Sequence, residues 1–200
     1  MEVRELSVPD AFEFAPVQHP DDRGVFLEWF KAGPLEAAIG HRLSLEQANI
    51  SVSRRGAVRG IHFADVPPSQ AKYVTCIAGA LLDVVVDIRV GSPTFGRWEA
   101  VRLDTENRKA LYVAEGLGHV FMALQDGTAI SYLCSTGYNP AREHGITPLD
   151  PGLGIDWPSG IEPLLSPKDA AAPTLAEAQA SGLLPSYDEC RDYYASLRTS

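Results

Sequence analysis

The 200-residue sequence predicts a mainly β protein, a sandwich or barrel of antiparallel strands with short helices at its C-terminal end. Three observations carry that expectation. Short segments with two-residue alternation recur from about residue 11 to about residue 135. Turn pairs such as Asp126-Gly127 punctuate them. Helical patterning is confined to one short stretch ending at Gly40 and to about residues 174–198.

Taken in order, "AFEFAPVQHPDDRGVFLEWF" alternates apolar and polar residues and is broken by Pro-Asp-Asp-Arg-Gly, which reads as strand, turn, strand. "PLEAAIGH" reads as a short helix closed by Gly40. In "QANISVS", Gln47, Asn49, Ser51 and Ser53 share one face of a strand, and Ala48, Ile50 and Val52 share the other. In "LLDVVVDIRV", Asp83, Val85, Asp87 and Arg89 oppose Leu82, Val84, Val86, Ile88 and Val90. Such strands suit a jelly roll in which one face lines a polar cavity and the other packs on neighbouring structure. "HVFMALQDGTAISYLCS" reads as two strands joined in a hairpin at Asp126-Gly127. In the tail, Thr174 and Glu177 stand at capping-box spacing ahead of a helix closed at Gly182, and "YDECRDYYASL" forms a second helix. With no repeat and no domain boundary, residues 1–200 read as one domain with a helical appendage at about 174–198.

Composition narrows the function classes. A formal net charge of −9 argues against general nucleic-acid binding, which depends on a basic surface. It leaves room for one anionic small ligand at a local cluster such as Arg23, Arg54, Arg55, Arg59 and Lys72. No apolar run reaches the roughly 18 residues of a membrane span, and "MEVRELSVPD" lacks a signal-peptide pattern. Cys76, Cys134 and Cys190 are odd in number and scattered, which points to a reduced cytoplasm.

The stretch "VRGIHF" (58–63) sets Arg59 three residues before His62. His62 reads as a metal ligand, a proton-transfer base or a histidine satisfied in a β-rich core. The metal reading lacks clustered ligands: His119 is distant, and His19, His41 and His144 offer no clear third donor. The base reading suits an imidazole, whose proton affinity lies near neutrality. It requires an orienting carboxylate, a cation for developing negative charge and a partner acid, which spacing alone does not select.

The stretches "DDRGVFLE", "QANISVSRRGAVRGIHF", "QAKYVTCIAGALLDVVVDIRVGSPTFGRW", "GLGHVFMAL", "SYLCSTGYNP" and "LSPKD" resemble, in order, the nucleotide-sugar 4-keto-6-deoxyhexose epimerases typified by the dTDP-4-dehydrorhamnose 3,5-epimerase family. The resemblance implies a cupin-type jelly roll, a homodimer, and action on a dTDP-linked 4-keto-6-deoxyhexose without metal or other cofactor. It assigns His62 as base, Asp169 as the carboxylate paired with it, Lys72 as the cation beside the sugar ketone and Tyr132 as the acid on the opposite face. It further implies nucleotide contacts from Arg23, Phe26 and Glu28, stacking on the base by Tyr138, a diphosphate contact from Arg59 and a place near the sugar for His119. Gln47 and Asn49, on the polar strand face, are expected to line the same pocket.

Two departures from the family pattern bear on stereochemistry. Ala64-Asp65 follows the His-Phe pair where many relatives have glutamine, and "GLGHVF" replaces a common Ala-His-Gly-Phe pattern. Both are expected beside the sugar. With a tail similar to that of the branch making deoxysugars for secondary metabolites, they point to epimerisation at C-3 alone, the 3,5-double reaction being the alternative. A metal-dependent cupin and a noncatalytic sugar-nucleotide binder are further alternatives. The presence of both His62 and Tyr132 counts against the noncatalytic one.

Overall fold

The computed structural model describes residues 1–199. Its elements, in chain order, are β1 (Glu2–Glu5), β2 (Ala11–Ala15), β3 (Gln18–Asp21), β4 (Gly24–Leu27), α1 (Ala32–Ile39), β5 (Gln47–Ser53), β6 (Val58–Ala64), β7 (Lys72–Ala78) and β8 (Ala80–Val86). They continue as β9 (Trp98–Asp104), β10 (Ala110–Val113), β11 (Gly118–Ala123), β12 (Thr128–Cys134), β13 (Glu143–Gly145), α2 (Pro167–Ala170), α3 (Leu175–Ala180) and α4 (Tyr187–Leu197). Two antiparallel sheets form the body, in the orders β1-β2-β10-β7-β12-β5 and β13-β6-β11-β8-β9. Such a two-sheet antiparallel body is the jelly-roll arrangement the alternation predicts.

Both faces of β8 are covered. Leu81 and Val85 belong to one apolar cluster with Val74, Cys76, Phe121 and Ile130, residues drawn from both sheets. Val84 and Val86 belong to a second cluster, where Ile61, Phe63, Val120 and Met122 meet Ile146, Leu153, Leu175 and Ala178 of the C-terminal region. The tail therefore seals the outer face of the five-stranded sheet. Its helices begin as the sequence predicts: α3 carries a capping box between Thr174 and Glu177, and the Ser186 side chain caps α4. The short helix α1 ends at Gly40 in the left-handed conformation.

Three local expectations change. Strands β11 and β12 flank Asp126-Gly127 but do not form a hairpin: β11 pairs with β6 and β8, whereas β12 pairs with β5 and β7. The turn carries the chain from one sheet to the other, tied down by Thr128 Oγ1 donating to the carbonyls of Ala80 and Gln125. A dipeptide encodes the reversal, while sheet membership depends on distant partners. The apolar face of β5 is uncovered in the single chain, with Ile50 66% and Val52 64% exposed, because nothing among the described residues packs over that part of the sheet. Finally, β3 and β4 form a separate two-stranded ribbon, with Asp22 and Arg23 at its tip.

Candidate active site

A cavity of about 340 Å³ is walled by strands of both sheets. His62 (β6), His119 and Phe121 (β11) contribute from the five-stranded sheet, and Ser51 (β5), Lys72 (β7), Ile130 and Tyr132 (β12) from the six-stranded one. Arg59, Tyr138, Glu143, Ser166, Lys168 and Asp169 complete the lining.

Arg59 and His62 reach this cavity together because β6 carries one extra residue. Opposite β11, His62 pairs with His119 and Arg59 with Phe121, so Gly60 and Ile61 face Val120 alone. This is a β-bulge, which re-aims side chains at the cost of one unpaired residue. The displaced backbone is satisfied by Ile146, whose N–H and carbonyl exchange hydrogen bonds with those of Ile61. Glycine is required at the bulge: Gly60 has φ +126°, and a Cβ there would lie 2.4 Å from the His119 carbonyl oxygen.

His62 Nε2 donates to Asp169 Oδ1 at 2.7 Å, across 107 residues of sequence. A carboxylate can only accept, so the neutral ring carries its proton on Nε2 and its lone pair on Nδ1. Asp169 is buried. Burial pushes its carboxyl up, but the hydrogen bond and charge of His62, the Ser166 hydroxyl and Lys168 outweigh it and hold the group below the usual aspartate value. Beside His62, His119 Nε2 donates to Asp83 Oδ1 at 2.8 Å, and Asp83 is fully buried. The cavity thus holds two imidazoles, each turned by its own carboxylate. On the other wall, burial raises the Tyr132 phenol above its ordinary value, with Cys134 and Glu143 adding to the rise and Arg59 opposing it, so the hydroxyl keeps its proton at neutral pH.

All four residues with an expected catalytic role, His62, Tyr132, Asp169 and Lys72, line this one cavity, and so do Arg59, His119 and Tyr138. Five other residues lie elsewhere. Gln47 and Asn49 do not line the cavity: Gln47 Nε2 donates to Asn49 Oδ1 at 2.8 Å, and Gln47 Oε1 accepts the Tyr138 backbone N–H at 2.9 Å. They brace the segment bearing Tyr138, and Ser51, on the same strand face, lines the cavity instead. Arg23, Phe26 and Glu28 are exposed and apart from it. Arg23 pairs with Asp21, Glu28 with Lys31, and Phe26 is 67% exposed. They sit on or just after a ribbon whose strands pair only with each other, so in one chain nothing folds them back over the cavity.

Ala64 and Asp65 also fall outside the cavity. They line an adjoining one, and Asp65 Oδ1 accepts from His144 Nε2 at 2.6 Å. Gly118 of "GLGHVF" lies against Ile61: a Cβ there would come within 2.6 Å of Ile61 Cγ2. Sequence reasoning missed Ser51, Phe121, Ile130, Glu143, Ser166 and Lys168. Four were recoverable in part: Ile130 and Phe121 stand two residues from Tyr132 and His119, while Ser166 and Lys168 belong to "LSPKD". Among the described residues, no three His, Cys, Asp or Glu side chains are grouped to hold a metal ion. Among the described residues, no helix is long and apolar enough to cross a membrane.

Comparison with known proteins agrees with this geometry. Residues 5–177 match the family described as dTDP-4-dehydrorhamnose 3,5-epimerase. The chain is 54% identical over 198 residues to the dTDP-4-dehydrorhamnose 3,5-epimerase of Mycolicibacterium smegmatis, covering 99% of this chain and 98% of that protein. Its fold superposes on the Mycobacterium tuberculosis rmlC epimerase with TM-score 0.97 and 52% identity, over 99% of this chain and 100% of that one. It superposes equally on ChmJ of Streptomyces bikiniensis, a 3'-monoepimerase solved in complex with dTDP-quinovose, with TM-score 0.96 and 52% identity over 98% of this chain and 99% of that one. The body is a cupin-type jelly roll, and the chain is an isomerase belonging to the dTDP-4-dehydrorhamnose 3,5-epimerase family.

Proposed function

We propose that this enzyme inverts C-3 of a dTDP-linked 4-keto-6-deoxyglucose, supplying a deoxysugar for a secondary metabolite. The observation that carries the reading is that His62 and Tyr132 line one cavity from different sheets. Sheets packed face to face lie roughly 10 Å apart. A hexose ring seated between them would meet a base on one face and an acid on the other.

The chemistry follows from the ketone. A carbonyl at C-4 acidifies the C-3 hydrogen, because the electron pair left by its removal delocalises onto oxygen. In the proposed step, His62 Nδ1 takes that proton, and the C-3–H electrons form the C-3=C-4 bond of an enolate. The charge then sits on the C-4 oxygen, where the Lys72 ammonium stabilises it. Lys72 pairs with Cys134 on β12, two residues from Tyr132, so cation and acid share one wall. Tyr132 returns a proton to the opposite face of C-3, and the configuration inverts. The Asp169 carboxylate stabilises the imidazolium formed at His62. Every step uses side chains alone.

Arg59 and Lys168 are the cations suited to the diphosphate, and a guanidinium fork matches phosphate oxygens well. For the nucleotide we propose a second copy of the chain. The exposed apolar face of β5 and the uncovered ribbon bearing Phe26 support a homodimer in which the ribbon of one protomer reaches the cavity of the other. Three free, buried cysteines suit a reducing compartment, in keeping with a cytoplasmic enzyme.

The likeness to ChmJ, a 3'-monoepimerase, is compatible with action at C-3 alone, and the equal likeness to 3,5-epimerases keeps the double reaction as the alternative. The test is solvent-deuterium incorporation, read by deuterium NMR after reduction of the ketone. Label and inversion at C-3 only are expected. Label and inversion at both C-3 and C-5 would establish the double reaction, and no label at either carbon would defeat the reading for this substrate class.

A further inference from the structure

Asp169 is gripped at both carboxylate oxygens. Oδ1 accepts from His62 Nε2 at 2.7 Å, while Oδ2 accepts the Ser166 hydroxyl at 2.8 Å. The same Ser166 oxygen accepts the Asp169 backbone N–H at 3.0 Å. One side chain therefore spends its donor and an acceptor on one residue.

We propose that Ser166 is a positioning residue for the reaction, holding Asp169 so that Oδ1 faces His62 and the imidazole keeps its proton on Nε2. This rests on the function proposed above. The carboxylate of an aspartate turns about a broad, roughly two-fold torsion. Within α2, Pro167–Ala170, the Ser166 N-cap is the residue whose side chain bonds the Asp169 carboxylate. The Ser166 hydroxyl, bonded to the second oxygen, fixes the plane of the carboxylate so that the first points at the imidazole. Pro167, at the first helical position, suits that place because its missing N–H would have no partner there. Lys168 lines the cavity beside the dyad and offers a released carboxylate a competing cation. A carboxylate that drifts towards it no longer discriminates between the two ring tautomers, and the lone pair is lost from Nδ1 in part of the population.

Capping and positioning are separable. Glycine lacks the capping oxygen but is well tolerated at an N-cap, so losing the cap bond alone costs the helix little. Positioning needs the O–H. Ser166→Gly removes it, and Ser166→Thr retains it.

The experiment measures kcat, KM and thermal midpoint for wild type, Ser166→Gly and Ser166→Thr, with ¹⁵N NMR of the His62 ring, its signals assigned by their absence from His62→Ala. Ser166→Gly is expected to lower kcat by about tenfold or more, the scale of a small misplacement of a reacting group. KM should stay within about twofold, the signature of an interaction realised in the transition state. The His62 signals should shift from the Nε2–H tautomer towards a mixture, and Ser166→Thr should restore both. Unchanged kcat with an unchanged tautomer in Ser166→Gly would overturn the proposal, as would a loss confined to KM or one that threonine fails to rescue. If wild type exchanges no hydrogen at C-3, the proposed function fails, and the ring signals alone then decide whether Ser166 orients the dyad.

Discussion

Arg59 and His62 stand three residues apart on β6 yet face the same cavity. A regular strand sends residues of odd separation to opposite faces. The bulge at Gly60-Ile61 absorbs the odd residue. Val58, Ile61 and Phe63 then enter the outer apolar cluster while the guanidinium and the imidazole turn inward. The odd spacing in "VRGIHF", absorbed by the bulge, is what puts a cation and a base on one wall.

Gly60→Ala is expected to damage stability and activity together. Alanine is strained at φ +126°, and its Cβ would meet a backbone oxygen that cannot swing aside. At a compatible site such a change stabilises by up to about 1 kcal/mol; here the sign should reverse and the loss should exceed that amount. Thermal denaturation and C-3 exchange measure the two effects, and wild-type values for both would show that the bulge tolerates a side chain.

Base and acid should separate kinetically. His62→Ala is expected to abolish solvent exchange at C-3, because it removes the proposed base, and His119 beside it is expected not to substitute for it. Tyr132→Phe should still exchange hydrogen at C-3 through His62 while net inversion falls by about 10²–10⁴-fold, the usual scale for a lost proton-transfer group. Equal loss of exchange and inversion in both variants would contradict the division of labour.

Glu115 makes stability depend on pH. It is buried, Oε1 accepts the Ser135 hydroxyl at 3.2 Å, and Oε2 has no partner among the described residues. Burial pushes its carboxyl up from 4.5 to about 7. The folded chain therefore keeps a proton that the unfolded chain has already released. Stability is full below about pH 4.5 and declines as pH rises through 7, by a total on the order of 3 kcal/mol. Glu115→Gln has no proton to lose, so its advantage over wild type should grow from about pH 5 to about pH 8. Urea denaturation at both values is the measurement, and an advantage independent of pH would refute the assignment.

Association should depend on the β5 face. Replacing Ile50 and Val52 with aspartate puts charge on an exposed apolar strip without touching the cavity. The doubly substituted protein is expected to be monomeric in light scattering and to bind dTDP more weakly than wild type. A substituted protein that remains dimeric would place the interface elsewhere.

Much of the site was legible before any coordinates. The family resemblance implied roles for His62, Lys72, Tyr132 and Asp169, and all four line one cavity. What failed to reach it in one chain were the ribbon residues Arg23, Phe26 and Glu28, whose surroundings are not determined by local sequence. Gln47 and Asn49 lie on the expected strand face but are consumed by each other and by the Tyr138 backbone. Ser166 was overlooked although Ser-Pro-Lys-Asp spells a helix start, because an N-cap gives no hint that its hydroxyl also grips a functional carboxylate.

By itself, the sequence determined the strands, the reversals and the capped tail helices, since alternation, Asp-Gly turns and capping boxes act within a few residues. Only the tertiary structure decided that β11 and β12 part into different sheets, that the bulge turns Arg59 to the side of His62, and that Ser166 and His62 grip the two oxygens of Asp169. Pairing across sheets is set by which surfaces bury one another, and no short window of residues contains that information.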